Sequence, residues 1–183
     1  CVHNGNPDTR DWIKDNYPDL RISLDYFDIL NDDSINAVAI ATPINSHYQI
    51  AKDALIVGKH VFIEKPITMN SEQAEVLVNL AGKRILFVCH IFLFHPSYGQ
   101  LKAAISDETP VSVVATWNKY GTFHEDIFSN LLSHDISIIA GLFGFDFSNI
   151  NIYKTEGIVS NIDILELSMD LRNKLKCSIN INR

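Results

Sequence analysis

The sequence has few cysteines, little positive charge and no long apolar segment, and each shortage excludes a class of protein. The chain has 15 lysines and arginines against 22 aspartates and glutamates, which leaves a net charge of −7. Nucleic-acid binding needs clustered basic side chains, and no basic stripe is present. No apolar run approaches the roughly 18 residues of a membrane-spanning helix, and no basic start precedes a hydrophobic stretch. We therefore expect a cytoplasmic protein with neither nucleic-acid nor membrane partners.

The three cysteines, Cys1, Cys89 and Cys177, are odd in number and far apart in the sequence. Two of them lie in apolar, strand-like contexts, so we expect reduced, buried thiols and no disulfide or zinc framework. The adjacent His134 and Asp135 also occur in metal phosphohydrolases, but such a site needs further His and Asp ligands at helical spacing. The sequence does not supply them, and no metal is expected.

The first half of the chain alternates short apolar runs with segments of helical spacing. Apolar residues make up 46% of the 183 residues, enough to bury a core. The run at 35–43 is apolar on both faces, as in a central parallel strand, and similar runs follow at 60–66 and 84–90. The segments between them, 47–60 and 70–83, have helical spacing. This order predicts an α/β fold with a doubly wound parallel sheet, whose ligands lie beyond the carboxyl ends of the strands.

Capping residues support these helices. Asn70 is expected to cap the second helix, with Gln73 as its capping-box partner, and Gly58 and Gly82 are placed to end the two helices. An earlier helix within 6–18 begins at a proline suited to the first turn, and its spacing predicts that three apolar side chains share one face: Trp12, Ile13 and Tyr17.

The pattern changes after Pro96. A helix is expected at 95–106, and the alternation at 111–120 predicts a half-covered antiparallel strand. A strongly apolar helix at 125–144, closed by Gly144, precedes three alternating strands from Asn149 onward, the last two joined by a turn near Arg172 and Asn173. These elements predict a second, α+β unit with an open, mostly antiparallel sheet.

Polar residues stand where each strand of the predicted parallel sheet ends: Thr42, then Glu64 and Lys65, then His90. Because the carboxyl ends of adjacent parallel strands meet at one edge, these groups are expected to converge on a crevice. A buried lysine is costly without a partner, so Lys65 needs either solvent or a ligand there. The alternative is an ordinary solvated Glu-Lys pair in a surface loop.

Residues 37–96 resemble the Gfo/Idh/MocA family of nicotinamide-dependent sugar and polyol oxidoreductases. The resemblance is carried by the Ala-Thr-Pro sequence at 41–43 with His47 four residues after Pro43, and by the strand that ends in Glu-Lys-Pro at 64–66. Further along the chain, His134 stands four residues after a polar position, as in the family. The resemblance is strong over residues 37–96 and weak over the rest of the chain.

The resemblance implies a two-domain organisation. Residues 1–95 would form a partial Rossmann domain that lacks its first βα unit, since no Gly-x-Gly-x-x-Gly loop is present, and residues 96–183 an α+β substrate and oligomerisation domain, incomplete at its C-terminus. It also implies NAD or NADP as cofactor, a sugar, nucleotide-sugar or cyclitol substrate, and a homo-oligomer formed through the C-terminal sheet.

The resemblance also implies roles for individual residues. Lys65 would contact the reacting hydroxyl and the nicotinamide ribose, and His134 would exchange a proton with that hydroxyl, which suits an imidazole near neutral pH. The other expected cofactor contacts share a position at strand ends or in the loops that follow them: Asn4, Ala41, Thr42, Pro43, His47, Glu64, Pro66 and His90.

Asn130 departs from the family pattern, in which an acid often precedes the histidine by four residues. An amide can orient an imidazole but cannot raise its pKa as a carboxylate does. Asn130, Asn118 and Lys119 are weaker candidates for substrate contacts, the last two at the end of a strand leading into the second domain. His47 could equally be structural, and so could a helical His134.

The leading hypothesis is an NAD(P)-dependent oxidoreductase that moves hydride between a nicotinamide and a secondary hydroxyl. The alternative is a non-catalytic dinucleotide or sugar sensor on the same fold, because the resembling family includes a yeast transcriptional repressor of the galactose pathway. Asn130 favours the sensor, whereas the intact Glu64, Lys65 and His134 favour the enzyme. A plain interaction domain would require the Glu-Lys-Pro sequence to be accidental.

Overall fold

The structure, a computed structural model, describes residues 6–106, 110–119, 126–155, 157, 162–172 and 175–182. The chain divides into two compact units, unit 1 at Cys1–Cys89 and unit 2 at His90–Arg183. The domain boundary expected between residues 95 and 96 falls shortly after this division and stays a prediction.

Unit 1 is built on a parallel sheet with the order β1-β2-β3. The strands are β1 (Ala37–Ile40), β2 (His60–Glu64) and β3 (Leu86–Cys89), and the helices are α1 (Pro7–Asn16), α2 (Phe27–Leu30), α3 (Ile44–Ile56) and α4 (Ser71–Ala81). Because α3 connects β1 to β2 and α4 connects β2 to β3, the β-then-α order expected from the sequence is confirmed.

The two faces of the unit 1 sheet differ. On one face Ile40, Val61 and Ile63 pack with Leu55 of α3 and Leu77 of α4 in a single core, and burying each such side chain is worth roughly 1.5–3 kcal/mol. On the other face the pairing aligns Ala39 with Phe62 and Phe62 with Phe87. The two phenylalanine rings stack with their centroids 5.4 Å apart and remain partly exposed.

The helix ends follow the expected chemistry. The Asn70 side chain accepts a hydrogen bond from the Gln73 backbone N–H at 3.1 Å and caps α4. Gly58 and Gly82 follow α3 and α4 with φ values of 92° and 54°, a region that favours glycine.

The prediction that three apolar side chains share one face of the first helix is wrong. Ile13 is buried, but Trp12 and Tyr17 are 57% and 55% exposed. The helix starts at Pro7 and ends at Asn16, so Tyr17 already lies at its C-cap with non-helical dihedral angles. Helical spacing therefore does not predict the direction of the Tyr17 side chain. Trp12, one residue before Ile13, points away from the buried side.

Lys59 fastens the segment before β1 to the start of β2. Its side chain is buried, and Nζ donates to the backbone oxygens of Asp32 at 2.9 Å and Ile35 at 2.7 Å. Two neutral carbonyl groups therefore satisfy a buried ammonium group.

Unit 2 combines helices with a mostly antiparallel sheet of order β4-β7-β6-β5. Its elements are a 3₁₀ turn (Ile91–Phe94), α5 (Pro96–Ala104), β4 (Ser112–Asn118), a π-helical turn (Phe128–Leu132), α6 (Ser133–Phe143), β5 (Ser148–Thr155), β6 (Ile164–Asp170) and β7 (Lys176–Asn182). Its core joins the inner face of the sheet, including Leu165, Leu167, Ile179 and Ile181, to the helical side. The expected α+β class is confirmed.

One expectation for this sheet is wrong. β4 was expected to be antiparallel to its neighbour, but it pairs parallel to β7, with Val113 opposite Cys177 and Trp117 opposite Ile181. Alternating apolar and polar residues show that one face of a strand is covered, and they do not show the direction of the neighbouring strand. The β5–β6 and β6–β7 pairs are antiparallel.

An ion pair joins the ends of β6 and β7. Lys176 Nζ lies 2.6 Å from Asp170 Oδ1, and Asn149 Nδ2 donates to the other carboxylate oxygen at 2.8 Å.

In the part of the chain that the structure describes, no helix is long and apolar enough to cross a membrane.

Candidate active site

The candidate residues of unit 1 lie at the carboxyl end of its parallel sheet. Ile40 is level with Ile63 in the register, so the loop after β1, with Ala41, Thr42 and Pro43, starts beside the end of β2. Lys65 follows β2 directly, and its peptide bond to Pro66 is cis. Thr42 is exposed, and its Oγ1 accepts a hydrogen bond from Ser46 at 2.7 Å. Unit 1 thus brings the Ala-Thr-Pro and Glu-Lys-Pro segments to one edge, as the strand order predicts.

His47 joins these two segments. It lies in the first turn of α3 and is 2% exposed. Its Nδ1 is 2.9 Å from the Pro66 oxygen, and its Nε2 is 2.8 Å from the Thr42 oxygen. Both ring nitrogens therefore face backbone carbonyls, and the direct cofactor contact expected from the sequence stays a prediction.

Glu64 and Cys89 are neighbours at the ends of β2 and β3, where the register pairs them. Burial raises the pKa of the Cys89 thiol, and the charge and hydrogen bond of the Glu64 carboxylate raise it further. This thiol is therefore kept protonated, which makes it a poor nucleophile.

The candidate histidine of unit 2, His134, is held between two aromatic rings. Its imidazole meets Phe92 edge to face, with centroids 4.7 Å apart and an interplanar angle of 83°. On another side the Trp117 ring lies nearly parallel to it, at 26° and 6.2 Å. His134 is 9% exposed, so the orientation of its ring is set by packing.

Asp135, which the sequence reasoning set aside, belongs to this aromatic cluster. Its side chain is 6% exposed. Burial raises the pKa of the Asp135 carboxyl to about 6, against the opposing effect of a hydrogen bond with the Trp117 side chain. Since an indole N–H can only donate, Asp135 is the acceptor. A carboxylate inside a strongly apolar helix was the available sequence signal, but its partner lies in a distant strand.

Asn130 lies in the π-helical turn immediately before α6. Its backbone N–H donates to the Asp126 oxygen at 2.9 Å, and its side chain is half-buried. Single π turns inside helices occur often at functional sites. The sequence predicted a continuous helix here, and the π turn was not foreseen.

Three of the remaining candidates belong to unit 2, and one lies outside the described residues. Asn118 ends β4 and accepts a hydrogen bond from the Asn182 side chain at 3.2 Å, and Lys119 is exposed beside it. His90, half-buried, begins unit 2. Asn4 lies outside the described residues. A cavity of about 330 Å³ on the sheet of unit 2 has none of the predicted site residues in its lining.

The chain is similar to known proteins in the segment that holds the strand-end residues of unit 1. Residues 13–92 match the family described as GFO_IDH_MocA, oxidoreductases with an NAD-binding Rossmann fold. Through this segment the chain is similar to the Gfo/Idh/MocA family. The match includes both the Ala-Thr-Pro and the Glu-Lys-Pro segments, so the recognition made from the sequence is confirmed, and so is the nicotinamide-dinucleotide class of cofactor expected for the family.

Two relatives of this chain are named as dehydrogenases. UDP-N-acetylglucosamine 3-dehydrogenase of Acidithiobacillus ferrooxidans is 27% identical over 144 residues, which are 76% of this chain and 46% of that protein. The NADP(+)-dependent scyllo-inositol 2-dehydrogenase of Bacillus subtilis is 31% identical over 97 residues, 52% of this chain and 27% of that protein. The chain thus spans less than half the length of these two relatives.

Two solved structures share the fold of this chain. The putative oxidoreductase yvaA of Bacillus subtilis aligns at a TM-score of 0.83 and 26% identity, over 94% of this chain and 53% of that one. UDP-N-acetylglucosamine 3-dehydrogenase from Acidithiobacillus ferrooxidans aligns at 0.84 and 23%, over 98% of this chain and 60% of that one. The chain therefore shares its fold with these two proteins over nearly its whole length.

Proposed function

We propose that the protein carrying this chain is an NAD(P)-dependent oxidoreductase that acts on a secondary hydroxyl of a sugar, nucleotide sugar or cyclitol. The observation that carries the proposal is the position of Lys65. It follows the second strand of a sheet that matches an NAD-binding family, at the edge where that fold binds its ligands. The dehydrogenases among the relatives support the substrate class, since their names include a nucleotide sugar and an inositol.

The residues at this edge fit a dinucleotide. Ala41 and Thr42 are exposed. The Thr42 hydroxyl lies beside the Ser46 hydroxyl, and its oxygen can accept a hydrogen bond from a ribose hydroxyl. The 13-residue helix α3 begins just behind them, so the positive end of its dipole lies at the same edge. Bound NAD(P)⁺ would accept hydride at its nicotinamide ring.

Two side chains of the protein would bind and deprotonate the substrate hydroxyl. The Lys65 ammonium would donate a hydrogen bond to the hydroxyl oxygen and stabilise the negative charge that develops there as hydride leaves the carbon. The His134 imidazole would accept the hydroxyl proton as a general base. Phe92 and Trp117 fix its ring, and Asn130 would orient it by hydrogen bonding.

The test uses the intact protein with NAD⁺ or NADP⁺ and a panel of UDP-N-acetylglucosamine, scyllo-inositol, D-chiro-inositol and glucose. Absorbance at 340 nm should rise with at least one pair. Lys65→Ala should then abolish turnover while circular dichroism stays unchanged. The matched control is Lys83→Ala, an exposed lysine after α4, which should keep full activity. Undiminished turnover in Lys65→Ala would remove this mechanism.

A second candidate function, a non-catalytic dinucleotide or sugar sensor, is favoured by Asn130. Without a carboxylate four residues before His134, the imidazole lacks the neighbour that would make it a stronger base. Equilibrium dialysis separates the two functions. NAD(P)⁺ binding without reduction across a broad sugar panel would support the sensor.

A further inference from the structure

His47 connects two loops that the proposed reaction requires to be in register. The Thr42 carbonyl belongs to the loop after β1, and the Pro66 carbonyl belongs to the loop after β2. The imidazole spans both, with contacts of 2.8 and 2.9 Å. Since a carbonyl oxygen only accepts, at least one of the two contacts is a donated N–H hydrogen bond.

Burial makes this connection more than a surface contact. His47 is 2% exposed, and both of its polar atoms face main-chain oxygens. A hydrogen bond of this kind lost in the interior leaves a carbonyl unsatisfied, which costs more than the bond itself contributes. No ring nitrogen is left over for a ligand in this arrangement.

The contact falls within the loop between β2 and α4, on the carbonyl of Pro66. At the far end, the Thr68 hydroxyl donates to the Asn70 oxygen at 2.6 Å, and the Asn70 side chain caps α4. At the near end, the ladder with β3 extends to Glu64. His47 binds the backbone between these two supports, at the residue that follows Lys65.

We propose that His47 is a positioning residue that fixes the main chain of Lys65 and Pro66 against the loop after β1 and thereby aims the Lys65 side chain. Both of its ring nitrogens face backbone carbonyls, so its effect on the reaction would pass through Lys65. The effect on catalysis rests on the proposed function. The two contacts of His47 with the loops, which we call the His47 clamp, can be tested without activity.

The kinetic test compares three variants of the intact protein, using the cofactor and sugar found active above. His47→Ala should lower kcat at least tenfold, because small misplacements of a reacting group cost up to roughly 10²-fold, while the KM for the sugar changes less than about threefold. His47→Gln, whose amide can donate to one of the two carbonyls, should recover most of the loss. Leu55→Ala, also buried on α3, is the control, and it should lower stability without lowering the kcat of the folded protein.

The structural test is amide hydrogen exchange of residues 67–69, which needs no turnover. His47→Ala should speed exchange there at least tenfold relative to wild type, and Leu55→Ala should not do so selectively. Unchanged exchange, or a kcat that falls equally in His47→Ala and Leu55→Ala, would overturn the inference. If the wild type reduces no cofactor but exchange responds as expected, the proposed function fails and the clamp stands.

Discussion

At the scale of single residues, Asp135 couples the stability of unit 2 to pH. Its pKa of about 6 in the folded protein lies above the ordinary value of 3.8, because burial disfavours the charged carboxylate. The folded state therefore holds more protons than the unfolded state between these values, and its contribution to stability falls as pH rises through that window. The loss is complete near pH 7, one unit above the folded pKa, and amounts to at most about 3 kcal/mol by linkage.

Asp135→Asn should remove this dependence, because the amide oxygen can still accept from Trp117 without carrying charge. Urea unfolding at several pH values measures the difference from wild type. The variant should gain stability relative to wild type between pH 4 and pH 7, with little further change above. Asp146→Asn, at an exposed position after α6, serves as control. Parallel stability curves for Asp135→Asn and wild type would contradict the prediction.

Asn130→Asp tests whether a missing carboxylate limits the proposed base. The change keeps shape and adds only charge, and a nearby carboxylate raises the pKa of an imidazole. The acidic limb of the pH–rate profile of kcat/KM should therefore move to higher pH. His134→Ala, by comparison, should lower the rate roughly 10²- to 10⁴-fold. A profile that does not move in Asn130→Asp would show that this side chain does not act on His134.

At the scale of elements, the cap of α4 offers a direct measure of local stability. Asn70→Ala removes the acceptor for the Gln73 N–H, and such losses cost about 0.5–2 kcal/mol. The matched control is Asn79→Ala on the exposed side of the same helix, which should change stability by less than about 0.5 kcal/mol. Both are read by chemical unfolding, and equal effects of the two substitutions would mean that the cap contributes nothing.

The strands of unit 1 could be predicted because local sequence carried the whole signal: a short apolar run, then a break at Pro43 or Pro66. The direction of β4 could not, because it depends on β7, about sixty positions along the chain. The same limit applies to the site. Lys65 was found because it follows a strand, whereas the contact of His47 with Pro66 and that of Asp135 with Trp117 each depend on how separate elements pack.

At the scale of the whole molecule, the outer face of the unit 2 sheet is the candidate for self-association. It presents Val114 and Tyr153 at 66% and 64% exposure. We expect light scattering of the intact protein to show an oligomer that Val114→Lys weakens, since an ammonium group in an apolar interface is costly. Val78→Lys, at an exposed position on α4 in unit 1, should leave the mass unchanged. A monomeric wild type would contradict this assignment.

Lys59 and Lys176 each hold two segments together, but their partners differ. Lys59 is held by peptide dipoles inside unit 1, whereas Lys176 in unit 2 is 71% exposed and bound to a carboxylate. Dissolved ions screen the attraction between exposed charges and have little access to a buried ammonium group. Raising the ionic strength should therefore weaken the Lys176–Asp170 ion pair at the end of the β6–β7 hairpin and leave the Lys59 contacts before β1 unchanged. The two units should therefore differ in their salt tolerance.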